Sequence, residues 1–232
     1  MKGRIYLIPV TLGGDDFLKV IPEKVISLTK QLRYFIVEDI RSARRYLRMI
    51  DREFPIDDTV FFELNEHTGE KDILHHLEPV LKGSDMGILS EAGLPAIADP
   101  GAMIIALAHR NGITVTPLSG PSSIILALIS SGFNGQNFTF NGYLPIKPAG
   151  RISKIRELEK KAAEGFTQIF METPYRNQKM LESIMKTCHN DTFLCIATDI
   201  TLPTESIKTM RISEWKKDLP SLDDRLAVFL IQ

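Results

Sequence analysis

Cysteine is scarce in this chain: Cys188 and Cys195 are the only two in 232 residues. They show no CxxC spacing and no neighbouring histidine cluster, which excludes a disulfide framework and a cysteine-built metal site and fits a reducing, cytoplasmic compartment. An excess of one charge is missing too, since 28 basic residues face 29 acidic ones. Any contact with nucleic acid must therefore come from a local patch rather than from the global field. No stretch reaches the roughly 18 uninterrupted apolar residues that would span a bilayer. The apolar run in M-K-G-R-I-Y-L-I-P is too short for a signal-peptide core and leads into Gly13, Gly14, Asp15 and Asp16, so no membrane association is expected. Neither G-x-G-x-x-G nor G-x-x-x-x-G-K-[ST] occurs, and no adjacent cation waits for a pyrophosphate, which disfavours a nucleotide-phosphate cradle.

With 44% hydrophobic residues, the chain can bury one large core or two small ones. Apolar and β-branched runs near Arg4–Ile8, Tyr34–Val37, Thr59–Phe62, Asp85–Leu89 and Ile113–Thr116 alternate with helical patterns, which predicts a mostly parallel five-stranded α/β domain over 1–134. The clearest helix precedes the fourth run: Thr68 can cap it, Ile73, Leu74, Leu77 and Leu81 recur at helical spacing, and Gly83 can end it, with His75 and His76 on the surface. Gly132, Asn134, Gly135, Gly142, Pro145, Pro148 and Gly150 then punctuate the chain, and the boundary is expected near Gly135. Over 135–232 an amphipathic helix at Arg151–Glu164, with Ile152, Ile155, Leu158 and Ala162 inward, and apolar runs at Gln168–Met171, Phe193–Thr198, Ile207–Ile212 and Leu226–Ile231 predict an α+β domain with a mixed sheet.

Two segments stand out as ligand loops. Leu89–Gly101, L-S-E-A-G-L-P-A-I-A-D-P-G, leaves one strand and opens a helix, and P-L-S-G-P-S-S at Pro117–Ser123 does the same about one βα unit later. Loops at the carboxyl ends of parallel strands build the crevice in which such sheets bind ligands. Exposed backbone N–H and C=O groups, hydroxyls at Ser90, Ser119, Ser122 and Ser123, and the Glu91 carboxylate suit a zwitterionic ligand that carries an amine and hydroxyls.

These loops belong to an ordered series. Tyr6–Gly13 resembles the first loop of the tetrapyrrole methylase superfamily, and the match is closest to its ribosomal RNA small subunit methyltransferase I family. Val37–Leu47 (V-E-D-I-R-S-A-R-R-Y-L) is similar to that family's E-D-T-R stretch, Glu63–Glu70 to E-H-N-E, Leu89–Gly101 to S-D-A-G-x-P-x-I-S-D-P-G and Val115–Gly132 to the P-G-P-S loop with its helix. Phe138–Lys147 (F-T-F-N-G-Y-L-P-I-K) is similar to F-x-F-x-G-F-L-P-x-K, and Phe170–Arg176 (F-M-E-T-P-Y-R) to F-Y-E-S-P-H-R.

The resemblance implies two α/β domains, a homodimer, and S-adenosyl-L-methionine held between the domains to methylate a cytidine 2'-hydroxyl of small-subunit rRNA. Carried over by position, the cofactor contacts are Pro9, Gly13, Ser90, Glu91, Ala92, Gly93, Ile97, Gly120, Pro121 and Ser122, with Met171 and Ala197 from the second domain. The chain departs from the pattern where Glu91 replaces an aspartate, Ile40 a threonine and Ser119 the residue before G-P-S, and where Ala197–Leu202 (A-T-D-I-T-L) stands for A-R-E-L-T-K. A base is needed only for the hydroxyl proton. Glu66 and His67 are candidates because they follow the third strand, and an unperturbed imidazole titrates near ~6.5. For RNA, Arg41, Arg45, Arg48 and Arg52 form one stripe of a helix whose opposite stripe is Ala43, Leu47 and Ile50, and Arg44 adds a further cation. Arg176 is a second RNA candidate, or else the helical-spacing ion-pair partner of Glu172. Two other readings stand beside the rRNA enzyme: a methylase of a tetrapyrrole or other small molecule, and a non-catalytic cofactor- or RNA-binding module.

Overall fold

The expected runs of the first part of the chain are strands: β1 (Arg4–Ile8), β2 (Tyr34–Val37), β3 (Val60–Glu63), β4 (Met86–Leu89) and β5 (Thr114–Pro117). This computed structural model describes residues 1–64 and 70–232. The five strands pair in the order β3-β2-β4-β1-β5, every pair parallel. All four residues of β4 are buried, whereas the edge strand β3 exposes Val60 and Glu63. Parallel pairing requires crossovers, supplied by α1 (Glu23–Thr29), α2 (Ile40–Ile50), α3 (Glu70–His76), α4 (Glu78–Leu81) and α5 (Gly101–Arg110). Alternation along the strands divides the core: Ile8, Phe35, Val37 and Leu89 face one side with Leu47 and Phe54, and Ile5, Ile36, Met86 and Ile88 face the other with Leu77 and Ile104. Each such side chain contributes about 1.5–3 kcal/mol by leaving water.

The helix expected to run up to Gly83 is two helices. Pro79 lacks an N–H and its ring crowds the carbonyl four residues back, so the chain breaks at Leu77 and restarts as α4. Thr68, the expected cap, lies outside the described residues. Ile73 and Leu77 are buried, but Leu74 and Leu81 are exposed. His76 was expected at the surface and is buried, its ring 5.3 Å from that of Phe62, because Ile73, His76, Leu77 and Val80 share one helix face. His75 is exposed and pairs with Glu78 at 3.0 Å.

The second part comprises α6 (Ser123–Ser131), β6 (Phe138–Tyr143), α7 (Pro148–Ala163), β7 (Thr167–Glu172), α8 (Asn177–Thr187), β8 (Phe193–Thr198), β9 (Ser206–Arg211), α9 (Ile212–Trp215) and β10 (Ala227–Ile231). Its sheet runs β6-β7-β10-β8-β9, parallel between β6 and β7 and antiparallel elsewhere, which makes it mixed. Wholly buried β10 lies at its centre, where Phe229 stacks on Phe170 at 5.6 Å. The helix α7 begins at Pro148, three residues before the expected start, since proline's fixed φ suits the first helical turn. Ile155, Leu158 and Ala162 are buried on it, with Ile152 half-buried. The two compact units are Met1–Ser122 and Ser123–Gln232. The division precedes the expected boundary near Gly135 because α6 packs on β8, β9 and β10, and the Thr209 hydroxyl donates to the Ser131 carbonyl at 2.8 Å. Both cysteines are buried, and burial pushes the Cys188 thiol up to about 12. Among the described residues no helix is long and apolar enough to cross a membrane.

Candidate active site

The order β4-β1-β5 brings the loops after these three strands side by side at the carboxyl edge of the first sheet. They are joined there by backbone. The Val10 N–H donates to the Gly93 carbonyl at 2.9 Å. A side chain at Gly93, where φ is +72°, would meet Leu12 Cδ2 at 3.1 Å and the Pro121 carbonyl at 3.3 Å, and one at Gly120 would lie 2.2 Å from Pro9 Cβ. Glycine is thus required at both positions, the first by its left-handed backbone and the second by close approach. Pro9, Gly93, Gly120 and Pro121 form one junction, and Gly13, Ser90 and Glu91 line the cleft beside it. Ala92 is exposed next to Glu91, Ser122 is buried after Pro121, and Ile97 points outward at 42% exposure.

Further along the second loop, Ala96 (φ 68°) and Ala98 (φ 64°) hold left-handed conformations that cost an alanine about 1–2 kcal/mol each. Asp99 clasps this stretch, its two oxygens accepting from the N–H groups of Ala96 and Gly101, both at 2.7 Å. Glu38, half-buried just after β2, lies beside the same loop, close to Asp99 and Glu91. Burial, followed by the charges of Asp99 and Glu91, pushes the Glu38 carboxyl up to about 7. Because both Asp99 oxygens already receive N–H donors, Glu38 carries the proton of that carboxyl pair.

The cleft is open, about 290 Å³ in volume, and lined by Val10, Gly13, Asp15, Ser90 and Glu91 on the loop side and by Ser42, Arg45, Tyr46 and Met49 of α2 on the other. Asp39 caps α2 by accepting from the Ser42 N–H at 2.7 Å, and this bond lowers its carboxyl. Tyr46 is buried, which raises its phenol far above the usual value and keeps it a neutral donor, and its hydroxyl donates to the Pro9 carbonyl at 3.0 Å. Arg41, Arg44, Arg45 and Arg48 are all exposed. Of these, Arg45 lines the cleft, Arg44 stacks over the Phe61 ring at 5.5 Å, and Arg48 donates to the Arg52 carbonyl.

In the second unit Met171 of β7 and Ala197 of β8 both register with Val228 of β10, so they occupy one row of that sheet. Met171 is half-buried and Ala197 buried. Arg176 donates through Nε and Nη2 to Oε1 of buried Glu172, at 2.9 and 2.6 Å. The ion pair considered for these two residues is present.

A description of the family Tetrapyrrole (Corrin/Porphyrin) Methylases matches residues 21–216. The chain belongs to this family. Curated relatives include proteins named Ribosomal RNA small subunit methyltransferase I from Vibrio cholerae, 29% identical with 90% of this chain and 69% of the relative covered, and from Pasteurella multocida, 27% identical with 100% and 80% covered. The relative of that name from Streptococcus pyogenes is 30% identical, with 92% and 70% covered. A solved structure of the methyltransferase CobJ shares the fold at 16% identity, with a TM-score of 0.64 over 99% of this chain and 93% of that one.

As a tetrapyrrole methylase the chain is a methyltransferase. Three residues of its cleft region, Tyr46, Glu38 and Asp99, were not singled out from the sequence as site residues. Tyr46 carries no spacing signal of its own beside the arginines, and nothing in the sequence links Glu38 to a carboxylate beyond the next two strands. Glu66 and His67 lie outside the described residues.

Proposed function

We propose that this methylase transfers the methyl group of S-adenosyl-L-methionine to a ribose 2'-hydroxyl of small-subunit rRNA, at a cytidine. The observation that carries the reading is the junction of three backbone-lined loops beside a cleft whose opposite wall is an arginine-bearing helix. The residues suit the cofactor: Gly93 and Gly120 let the three loops close on one another beside the cleft, and Asp15 and Glu91 line it with carboxylates that can pair with an ammonium or a sulfonium. The names of the relatives support the acceptor.

When bound, S-adenosyl-L-methionine supplies a methyl already activated by its sulfonium, so the protein's own part is alignment and proton handling. Pro9, Gly13, Ser90, Glu91, Ala92, Gly93, Ile97, Gly120, Pro121 and Ser122 hold and orient the cofactor, with Met171 and Ala197 carried over from the family pattern. Arg41, Arg44, Arg45 and Arg48 hold RNA phosphates near the cleft. Glu66 and His67 are proposed to take the hydroxyl proton, on their place in the sequence after β3. The reading includes a homodimer working in the cytoplasm, where its ribosomal substrate is.

The test is transfer of radiolabelled methyl from S-adenosyl-L-methionine to undermethylated small ribosomal subunits, with the label mapped in the recovered RNA. Label at one cytidine ribose is the expected result. Unlabelled RNA with the cofactor bound would reject the rRNA reading, and the same assay with porphyrin or corrin acceptors would then separate a small-molecule methylase from a non-catalytic module.

A further inference from the structure

The second unit carries an exposed aromatic surface of its own. Tyr175 is 71% exposed and sits in the short turn Pro174–Arg176, where the proline ring fixes the backbone. Over its ring, 5.1 Å from the centroid, lies the Arg176 guanidinium. That guanidinium is not free to swing, because Nε and Nη2 are both held by Oε1 of Glu172, whose side chain is fully buried. Tyr143, 55% exposed at the end of β6, lies close enough for its hydroxyl to couple electrostatically with Arg176. It is set there by a bulge between Phe140 and Tyr143, and pairs with Met171 one residue before Glu172.

Single exposed tyrosines are ordinary. Here two lie near one immobilised cation, held by a buried glutamate whose Oε1 also accepts from the Thr173 N–H and hydroxyl. A flat ring stiffened by a stacked guanidinium offers a π-face, and the remaining guanidinium edge offers N–H donors. A nucleobase with its phosphate needs both, whereas an apolar protein surface needs no cation. We propose that Tyr175, backed by Arg176 and flanked by Tyr143, is a stacking platform for an unpaired nucleobase of the RNA substrate. The inference rests on the RNA reading above and concerns residues of the second unit alone.

The test uses the full chain and an unstructured RNA of about ten nucleotides carrying 2-aminopurine, whose fluorescence falls when the base stacks. Wild type is expected to quench it, Tyr175→Phe to quench equally, and Tyr175→Ala to bind about tenfold or more weakly without quenching. The salt dependence of the Tyr175→Ala variant should match wild type, because stacking releases no counterions. Binding of S-adenosyl-L-methionine should be unchanged, which shows that the variant is folded. Equal RNA binding by wild type and Tyr175→Ala, or an altered oligomeric state of the variant, would overturn the platform. Because the readout needs no methyl transfer, it decides the platform even where rRNA proves not to be the acceptor.

Discussion

The Tyr46 hydroxyl donates to the Pro9 carbonyl across 3.0 Å, and this bond ties the arginine-bearing helix α2 to the first of the three loops. Both residues are buried, so removing the donor leaves the carbonyl without a partner. Tyr46→Phe is expected to cost about 1–2 kcal/mol, a fall in Tm of roughly 2–8 °C for a chain of this size, with several-fold weaker binding of S-adenosyl-L-methionine. Thermal melts and titration calorimetry on the purified variant check both. Unchanged cofactor affinity with a lowered Tm would make Tyr46 a purely structural strut.

Gly120→Ala would place a Cβ 2.2 Å from Pro9 Cβ and 2.4 Å from Pro9 Cγ, and the rigid ring cannot turn aside. The first and third loops must then separate, with an expected stability cost of about 1–3 kcal/mol and loss of most cofactor affinity. Gly135→Ala is the control, since its new methyl meets nothing within 4 Å. Native Tm and native affinity in Gly120→Ala would show that the junction is not where the ligand is held.

Much of this architecture was readable because its signals are local. The five strands of the first sheet are short apolar or β-branched runs, and their parallel pairing follows from the helices between them. The break at Leu77 was missed because Ile73, Leu74, Leu77 and Leu81 carry a helical period across Pro79, and the stripe that is buried runs through His76 and Val80 instead. The assignment of α6 depends on its packing against β8, β9 and β10, all far along the chain. The same limit hid the pairing of Glu38 with Asp99: periodicity and spacing describe neighbours in sequence, whereas the coupling of two carboxyls depends on which strands lie side by side.

Glu38 makes stability depend on pH. Its carboxyl titrates at about 7 in the folded chain against 4.5 for an ordinary glutamate, so the folded state binds more protons between those values. The contribution is complete below pH 4.5 and is lost as pH rises through 7. Glu38 is partly solvated, so the effect is discounted to on the order of 1 kcal/mol, or about 2–4 °C in Tm. Between pH 4.5 and pH 7.5 wild type should lose this increment, while Glu38→Gln, which cannot ionise, should lack this loss across that interval. Parallel pH profiles for the two proteins would remove Glu38 as the titrating group.

The arginines of α2 should separate by their surroundings. Arg41, Arg45 and Arg48 are exposed, and Arg45 also lines the cleft, whereas Arg44 covers the Phe61 ring. Alanine at Arg41, Arg45 or Arg48 is therefore expected to weaken binding of single-stranded RNA without lowering Tm, and removing one arginine–phosphate pair should reduce the slope of log K against log salt by ~0.7. Arg44→Ala should in addition forfeit the cation–π stacking on Phe61, worth about 0.5–1 kcal/mol at an exposed site, and melt lower. Binding measured across a salt series distinguishes these outcomes from a solvated charged face, for which single substitutions would leave both affinity and slope where they are. A loss of affinity confined to Arg45→Ala would narrow the RNA-binding surface to the cleft mouth, because that side chain alone of the four borders the loops bearing Ser90 and Glu91.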